Sequence, residues 1–200
     1  MARIVAFISV TLDGVMQAPG RPDEDTRGGF EHGGWATRYA DADSGKIAQE
    51  SMRTTGSLLL GRRTYEDLLS SWNKQGGPFK DVLNNSPKYV ASTTLSEPLP
   101  WPNSTLLEGD AADAVARLRS EPGKDIVVLG SGELLRGLMK RGLVDAYVLQ
   151  IHPLVLGTGQ RLFDDDVPDV GLRLEDSKTT STGVIVATYS TGAEGASATR

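Results

Sequence analysis

Three short stretches of this sequence put anion-binding groups where an apolar run gives way to a helical pattern. In "LLLGRRTYEDL" the run ends at Gly61, and Arg62, Arg63 and Thr64 open an amphipathic segment. Two guanidiniums at a helix N-terminus oppose the positive end of its dipole. Their placement becomes favourable if an anion is bridged by Arg and the free N–H groups. The other reading is a solvated basic pair. In "YVASTTL" the run ends in Ser92, Thr93 and Thr94, hydroxyls that can donate to phosphate or ribose oxygens or simply make a turn. In "DIVVLGSGELLRGLMK", Gly130, Ser131 and Gly132 allow backbone shapes that bring N–H groups close to a phosphate, and Glu133 and Leu134 start the next helix. The spacing G-x-G-x-x-L, after a late strand, rules out the Rossmann dinucleotide fingerprint. Each turn alone has a purely structural reading. As a set, after three strands of one sheet, they could serve one long anionic ligand such as a dinucleotide.

Residues for handling an acceptor are sparser. Asp13 in "TLDGVM" either stands at a cleft mouth or makes an Asp-Gly turn. The loop "FEHGGWATRYADADSG" holds Glu31, His32, Trp35 and Tyr39. A planar heterocycle could stack on Trp35, with Tyr39 a second aromatic face, while Glu31 or His32 hydrogen-bonds its edge; the alternative is a surface loop with Trp35 packed against the core or a partner subunit. Asp43, with Ser44, is either an N-cap or an acid on the first helix. His152, before Pro153, reads as a packed histidine, and Asp164–Asp166 as a solvated acidic loop rather than a metal site. No metal site is expected.

The elements that must position these residues follow from hydrophobic periodicity. "RIVAFISV", "SLLLG", "KYVAS", "STLLEG", "DIVVLG", "VDAYVLQIHPLVLG" and "GVIVATYS" read as strands, the sixth long or broken at Pro153. Helices are expected near 44–54, 63–71, 111–119 and 133–140. The alternation predicts an α/β domain with a largely parallel sheet and an antiparallel finish. In such sheets ligands bind beyond the carboxyl ends of the strands. The 200 residues suit one domain over 1–190, with 191–200 read as a disordered tail. The formal net charge of −5 and the lack of a basic stripe argue against nucleic acid. No apolar run reaches the roughly 18 residues of a membrane span, and "RIVAFISV" does not read as a signal peptide. With no cysteine, disulfides and thiolate metal sites are excluded, and a cytoplasmic location is expected.

The pieces "ISVTLDGVM", "LLLGRRTYE", "KYVAST" and "GSGELLRGLMKRGLVDAYVLQIHPLVLGTGQRLF", in this order and spacing, resemble the dihydrofolate reductase superfamily. The similarity is to the branch typified by the reductase domain of bacterial riboflavin biosynthesis, and covers about residues 2–190. It implies a three-layer fold with an eight-stranded mixed sheet, NADPH as hydride donor, a small pyrimidine- or pteridine-type substrate, and a homodimer. On that resemblance Gly61, Arg62, Arg63 and Thr64 contact cofactor phosphates. Ser92 and Thr93 take the 2′-phosphate, and Gly130, Ser131, Gly132, Glu133 and Leu134 hold the pyrophosphate. Ser131 replaces the family's second adjacent glycine, in a turn whose cis peptide costs about 3 kcal/mol. The zinc deaminase domain that accompanies riboflavin-pathway reductases is not expected from two histidines and no cysteine. No acid aligns with the pterin-protonating residue of dihydrofolate reductases; Asp43 is nearest, and Glu50 is the other choice. The alternative function is a nucleotide- or flavin-binding module without reductase chemistry.

Overall fold

The computed structural model describes residues 1–192. β1 (Ile4–Thr11) is followed by a long loop and α1 (Ala42–Thr54). β2 (Thr55–Gly61), α2 (Arg62–Gln75), α3 (Pro78–Asn85), β3 (Lys88–Ala91) and β4 (Ser104–Leu106) follow. Then come α4 (Ala111–Ser120), β5 (Asp125–Leu129), α5 (Gly132–Lys140), β6 (Ala146–His152), β7 (Leu172–Thr179) and β8 (Ile185–Thr191). The eight strands form one sheet in the order β4-β3-β2-β5-β1-β6-β8-β7. Pairing is parallel from β4 to β6 and antiparallel at β6–β8 and β8–β7. The predicted α/β class with an antiparallel finish is what the sheet shows.

Period-2 alternation divides the core between two faces. Ile4, Ala6, Ile8 and Val10 of β1 join Val115 of α4 and Leu135, Leu138 and Met139 of α5 in one cluster. On the other face Val5 joins Leu58 and Leu60 of β2, Tyr65 and Leu69 of α2 and Leu83. Helices therefore cover both faces, as expected for three layers. A third, smaller cluster of Val15, Ala18, Phe30, Trp35 and Leu154 anchors the loop between β1 and α1.

Four expectations shift. Only Ala146–His152 of "VDAYVLQIHPLVLG" is a strand, because Pro153 has no N–H to continue the ladder. α3 was not expected; it starts with Pro78 in the first turn, where the missing N–H costs nothing. β7 was also missed, because "LRLEDSKT" is exposed along nearly its whole length and shows no apolar face. Finally, Thr191 belongs to β8, its N–H donating to Asp145 O at 3.0 Å, so the expected tail does not begin there; its remainder, 193–200, lies outside the described residues. No helix among the described residues is long and apolar enough to cross a membrane.

Candidate functional site

Because β2, β3 and β5 are parallel, their carboxyl ends lie on one edge of the sheet. The three turns that follow them meet in one cleft of about 1020 Å³, lined by Gly61–Thr64, Ala91–Thr94 and Leu129–Leu134. That volume lies at the upper end of small-molecule and cofactor sites, about 300–1000 Å³. Its other wall is the loop after β1, including Met16–Pro19 and Asp23–Arg27. All eleven residues expected at a cofactor, from Gly61 to Leu134, line this cleft.

Two helices open into the cleft without a side-chain cap. α2 follows Gly61 and α5 follows Ser131, and neither residue bonds the first-turn N–H groups. Those N–H groups have no intrahelical acceptor and carry the positive end of the helix dipole. The turn before α5 is left-handed: Gly130 has φ +54° and Ser131 φ +60°. A left-handed non-glycine costs roughly 1–2 kcal/mol, and Ser131 has a compensating use. Its Oγ accepts from Gly61 N at 2.8 Å and donates to Leu129 O at 3.3 Å, tying the turn after β5 to the turn after β2. The cis peptide implied for this turn is not present; among the described residues only Glu97–Pro98 is cis. Left-handed dihedrals make the turn instead.

The charges of the cleft are paired across it. Arg63 reaches Glu133 at 3.2 Å, and Arg27, from the opposite wall, reaches the same oxygen at 3.0 Å. Arg62 pairs with Glu66 one turn along α2, at 3.2 Å. Arg27 also grips Asp25 at 2.6 Å, which holds the Asp25 carboxyl below its usual range and raises the guanidinium further. A second tether joins Arg21 to Asp67 and Ser71 of α2. The loop after β1 is therefore strapped to α2 and α5, roofing the cleft. In the third turn Ser92 Oγ accepts from Thr94 N and Leu95 N, at 3.1 and 3.0 Å.

A dinucleotide fits this donor set. Arg27, Arg62 and Arg63, the hydroxyls of Ser92, Thr93 and Thr94 and two uncapped helix N-termini line one cleft, and the guanidiniums, now paired with carboxylates, would exchange those partners for phosphates. A Cβ on Gly132 would come within 1.9 Å of Met16 Cε, so the Met16 side chain packs directly over the start of α5 and would have to swing aside for any larger residue there.

The acceptor-side expectations fare differently. Asp13 lines neither the cleft nor a smaller cavity beside it; its carboxylate accepts from Thr11 Oγ1 at 2.6 Å, Gly157 N at 2.8 Å and Leu156 N at 3.2 Å. The Thr11 bond, helped by the two amides, holds the Asp13 carboxyl down to about 2, so it is a poor proton source. Trp35 is buried with its Nε1 donating to Gln17 O at 2.7 Å and its ring edge-on to His152, so it offers no face for stacking. Glu31 and His32 are exposed and line neither cavity, because their turn points to solvent. Asp43 pairs with Lys46 at 3.6 Å on the exposed side of α1. The residue that caps α1 is Asp41, which accepts from Ser44 N at 2.7 Å and binds Ser181 and Thr182 as well.

Tyr39 does line a cavity. A second, smaller space of about 250 Å³ lies beside the cleft and shares Ser9 and Pro19 with it. Tyr39, Gln150, His152 and Val186 contribute to its wall. Gln150 Oε1 accepts from Ser9 Oγ at 3.0 Å. His152 is a packed histidine, as expected: it is buried, its Nδ1 lies 3.0 Å from Gln150 O, and burial lowers its pKa. The acidic run is a salt-bridged loop, Asp164 with Arg136 and Asp166 with Lys140. No cluster among the described residues could hold a metal ion.

Sequence reasoning missed Glu24 and Arg27 as cleft residues. The available signal was "RPDEDTR", a dense run of mixed charge between glycine-rich turns.

Comparison with known proteins agrees with this fold. The family model of the RibD C-terminal domain matches residues 2–186. The chain is 30% identical over 195 residues to the uncharacterized protein YyaP of Bacillus subtilis (strain 168), covering 94% of each. It is 27% identical to YwjB of the same organism, over 88% of this chain and 91% of that one. Among solved structures, a putative riboflavin biosynthesis protein from Shewanella sp. PV-4 superposes with a TM-score of 0.72 at 24% identity, over 96% of this chain and all of that one. A pyrimidine reductase-like protein from Corynebacterium diphtheriae gives 0.60 at 14% identity, over 96% and 93%. At those identities the structures speak for a shared dihydrofolate reductase-like fold.

Proposed function

The chain belongs to the RibD C-terminal domain family, and from that premise we propose that it is an NADPH-dependent reductase of a small nitrogen heterocycle, of pyrimidine or pteridine type. What supports the reading is one observation above the rest. Three separate strand-to-helix turns, two of them uncapped helix starts, converge on one cleft together with Arg27, Arg62 and Arg63. Donors spread over three turns favour a ligand with several phosphates over one with a single phosphate.

In this reading the turn Gly130–Leu134 and the start of α2 bind the pyrophosphate through backbone N–H groups. Ser92 and Thr93, with the nearby guanidiniums, bind the 2′-phosphate. NADPH, when bound, supplies the hydride. The chain's own residues orient the partners and exclude water: Met16, Gln17 and Pro19 roof the end of the cleft that meets Ser9, where the smaller cavity begins. The acceptor belongs at that seam. Ser9 and Gln150 can hydrogen-bond the edge of a heterocycle, and Tyr39 offers it an aromatic wall.

The protein is also read as a homodimer. β7 ends the sheet with an exposed strand, on which Leu174 is exposed, as is Ile185 on the neighbouring β8. Unpaired edges of this kind are usually covered. The reductase reading is tested by NADPH consumption with 5-amino-6-(5-phosphoribosylamino)uracil and with dihydrofolate. Binding of NADPH without turnover on any acceptor would favour a nucleotide-binding module on the same fold.

A further inference from the structure

Reduction of a C=N or C=O bond requires a proton as well as a hydride, and none of Asp13, Glu31, His32 and Asp43, the polar residues singled out from the sequence for the acceptor side, lines the cleft. Six carboxylates line the cleft: Asp23, Glu24, Asp25, Asp67, Asp110 and Glu133. Five are held by cations: Asp23 and Asp67 by Arg21, Asp25 by Arg27, Glu133 by Arg27 and Arg63, and Asp110, at 4.0 Å, by Arg141. Glu24 alone has no such ion pair among the described residues. Its Oε2 accepts from Gly20 N at 2.6 Å and Arg21 N at 3.1 Å, and its Oε1 has no hydrogen-bond partner among the described residues. Gly20 lines the smaller cavity while Glu24 lines the cleft, so the carboxyl stands next to the seam assigned to the acceptor.

We propose that the Glu24 carboxyl is the proton donor of the reduction. This rests on the reductase reading. The acceptor carbon gains a hydride with its electron pair as the cofactor is oxidised to NADP⁺. The π pair moves to the nitrogen or oxygen of the reduced C=N or C=O bond, which takes the proton as the Glu24 O–H bond breaks. The resulting carboxylate regains a proton from water through the open cleft. Burial raises the Glu24 pKa, and the neighbouring Asp67 charge adds to the rise. The Gly20 and Arg21 amides and the Arg21 charge pull it down. The net rise keeps more of the acid form available than an exposed glutamate would.

Glu24→Gln keeps an oxygen for the two amides and removes the acidic proton, and Glu24→Asp keeps the acid on a shorter arm. The proposal expects Glu24→Gln to lower kcat by about 100-fold or more. NADPH affinity should stay within roughly twofold and the melting temperature should hold. Glu24→Asp should recover part of the rate. The wild-type rate should fall as pH rises through the Glu24 pKa, and Glu24→Gln should lose that limb. A second readout needs neither cofactor nor acceptor: the infrared carboxyl band lost in Glu24→Gln should titrate above the ordinary 4.5. A band that titrates at or below that value overturns the proposal, as does Glu24→Gln turnover within threefold of wild type. Parallel loss of stability and NADPH binding would make Glu24 a structural residue. A wild type that binds no NADPH fails the reductase reading itself, and the proposal with it.

Discussion

Replacing Asp13 by Asn separates an anchoring role from a catalytic one. The Asp13 carboxylate holds the end of β1 against the segment after β6 through Thr11 Oγ1, Leu156 N and Gly157 N. An asparagine can keep its oxygen toward Thr11 and Leu156, but its NH₂ then meets Gly157 N–H, donor against donor. Losing one hydrogen bond to a charged acceptor costs about 1.5–3 kcal/mol. Depression of the carboxyl from 3.8 to about 2 sets a similar ceiling of ~2 kcal/mol. Because the group is partly open to solvent, screening brings the expected loss to about 1–2 kcal/mol. The folded-state value is the lower one, so this stabilisation is complete above 3.8 and disappears as pH falls from 3.8 toward 2. Urea midpoints for both proteins across that range are the assay. The variant should unfold earlier near neutral pH, and the difference should close toward pH 2, with turnover per folded molecule little changed. Equal midpoints at neutral pH, a gap that persists in acid, or a stable variant with abolished turnover would each refute the anchoring role.

Ser131→Ala should lower stability by about 1 kcal/mol and weaken NADPH binding, since it frees Gly61 N and unties the two phosphate turns; Ser131→Gly should weaken binding with less loss of stability, because it also relieves the left-handed strain. Calorimetry and titration on both variants check this. Glu133→Gln releases Arg27 and Arg63 from a competing carboxylate, so NADPH should bind about two- to fivefold tighter, in line with the small value of exposed ion pairs. Leu174→Arg on β7 should convert a dimer to a monomer in sedimentation while leaving the fold intact by circular dichroism.

Much of the scaffold was legible because it is written locally. The β-branched runs of β1, β2, β3 and β5 and the amphipathic stretches of α2, α4 and α5 carry their own periodicity. The turns that follow β2, β3 and β5 are contiguous in sequence, and parallel pairing alone brings them to one edge. β7 was not legible because its exposed residues show no burial pattern, and α3 because Gly76 and Gly77 masked the helix that Pro78 begins. The acceptor side failed for a different reason. Which side chains reach the seam depends on how the loop after β1 folds back, and that path is fixed by distant partners: Trp35 on Gln17 and His152, Arg21 on Asp67, Arg27 on Glu133. Residue type alone left Trp35 either a stacking surface or a packed ring, and Asp13 either at the cleft mouth or in a turn. Tertiary contacts buried the first and hydrogen-bonded the second, and left Glu24, inside an unremarked run of charges, facing the cleft.

The most direct test of the central claim is a titration of the purified protein with NADPH, NADH and FMN, repeated on Arg62→Ala/Arg63→Ala. A cofactor cleft made of the three turns predicts selective NADPH binding by the wild type. In the double variant affinity should fall roughly 10- to 100-fold, at ~1.4 kcal/mol per tenfold, and the preference for NADPH over NADH should shrink. Unchanged NADPH affinity in the double variant, or a wild type that binds only FMN or none of the three, would contradict it.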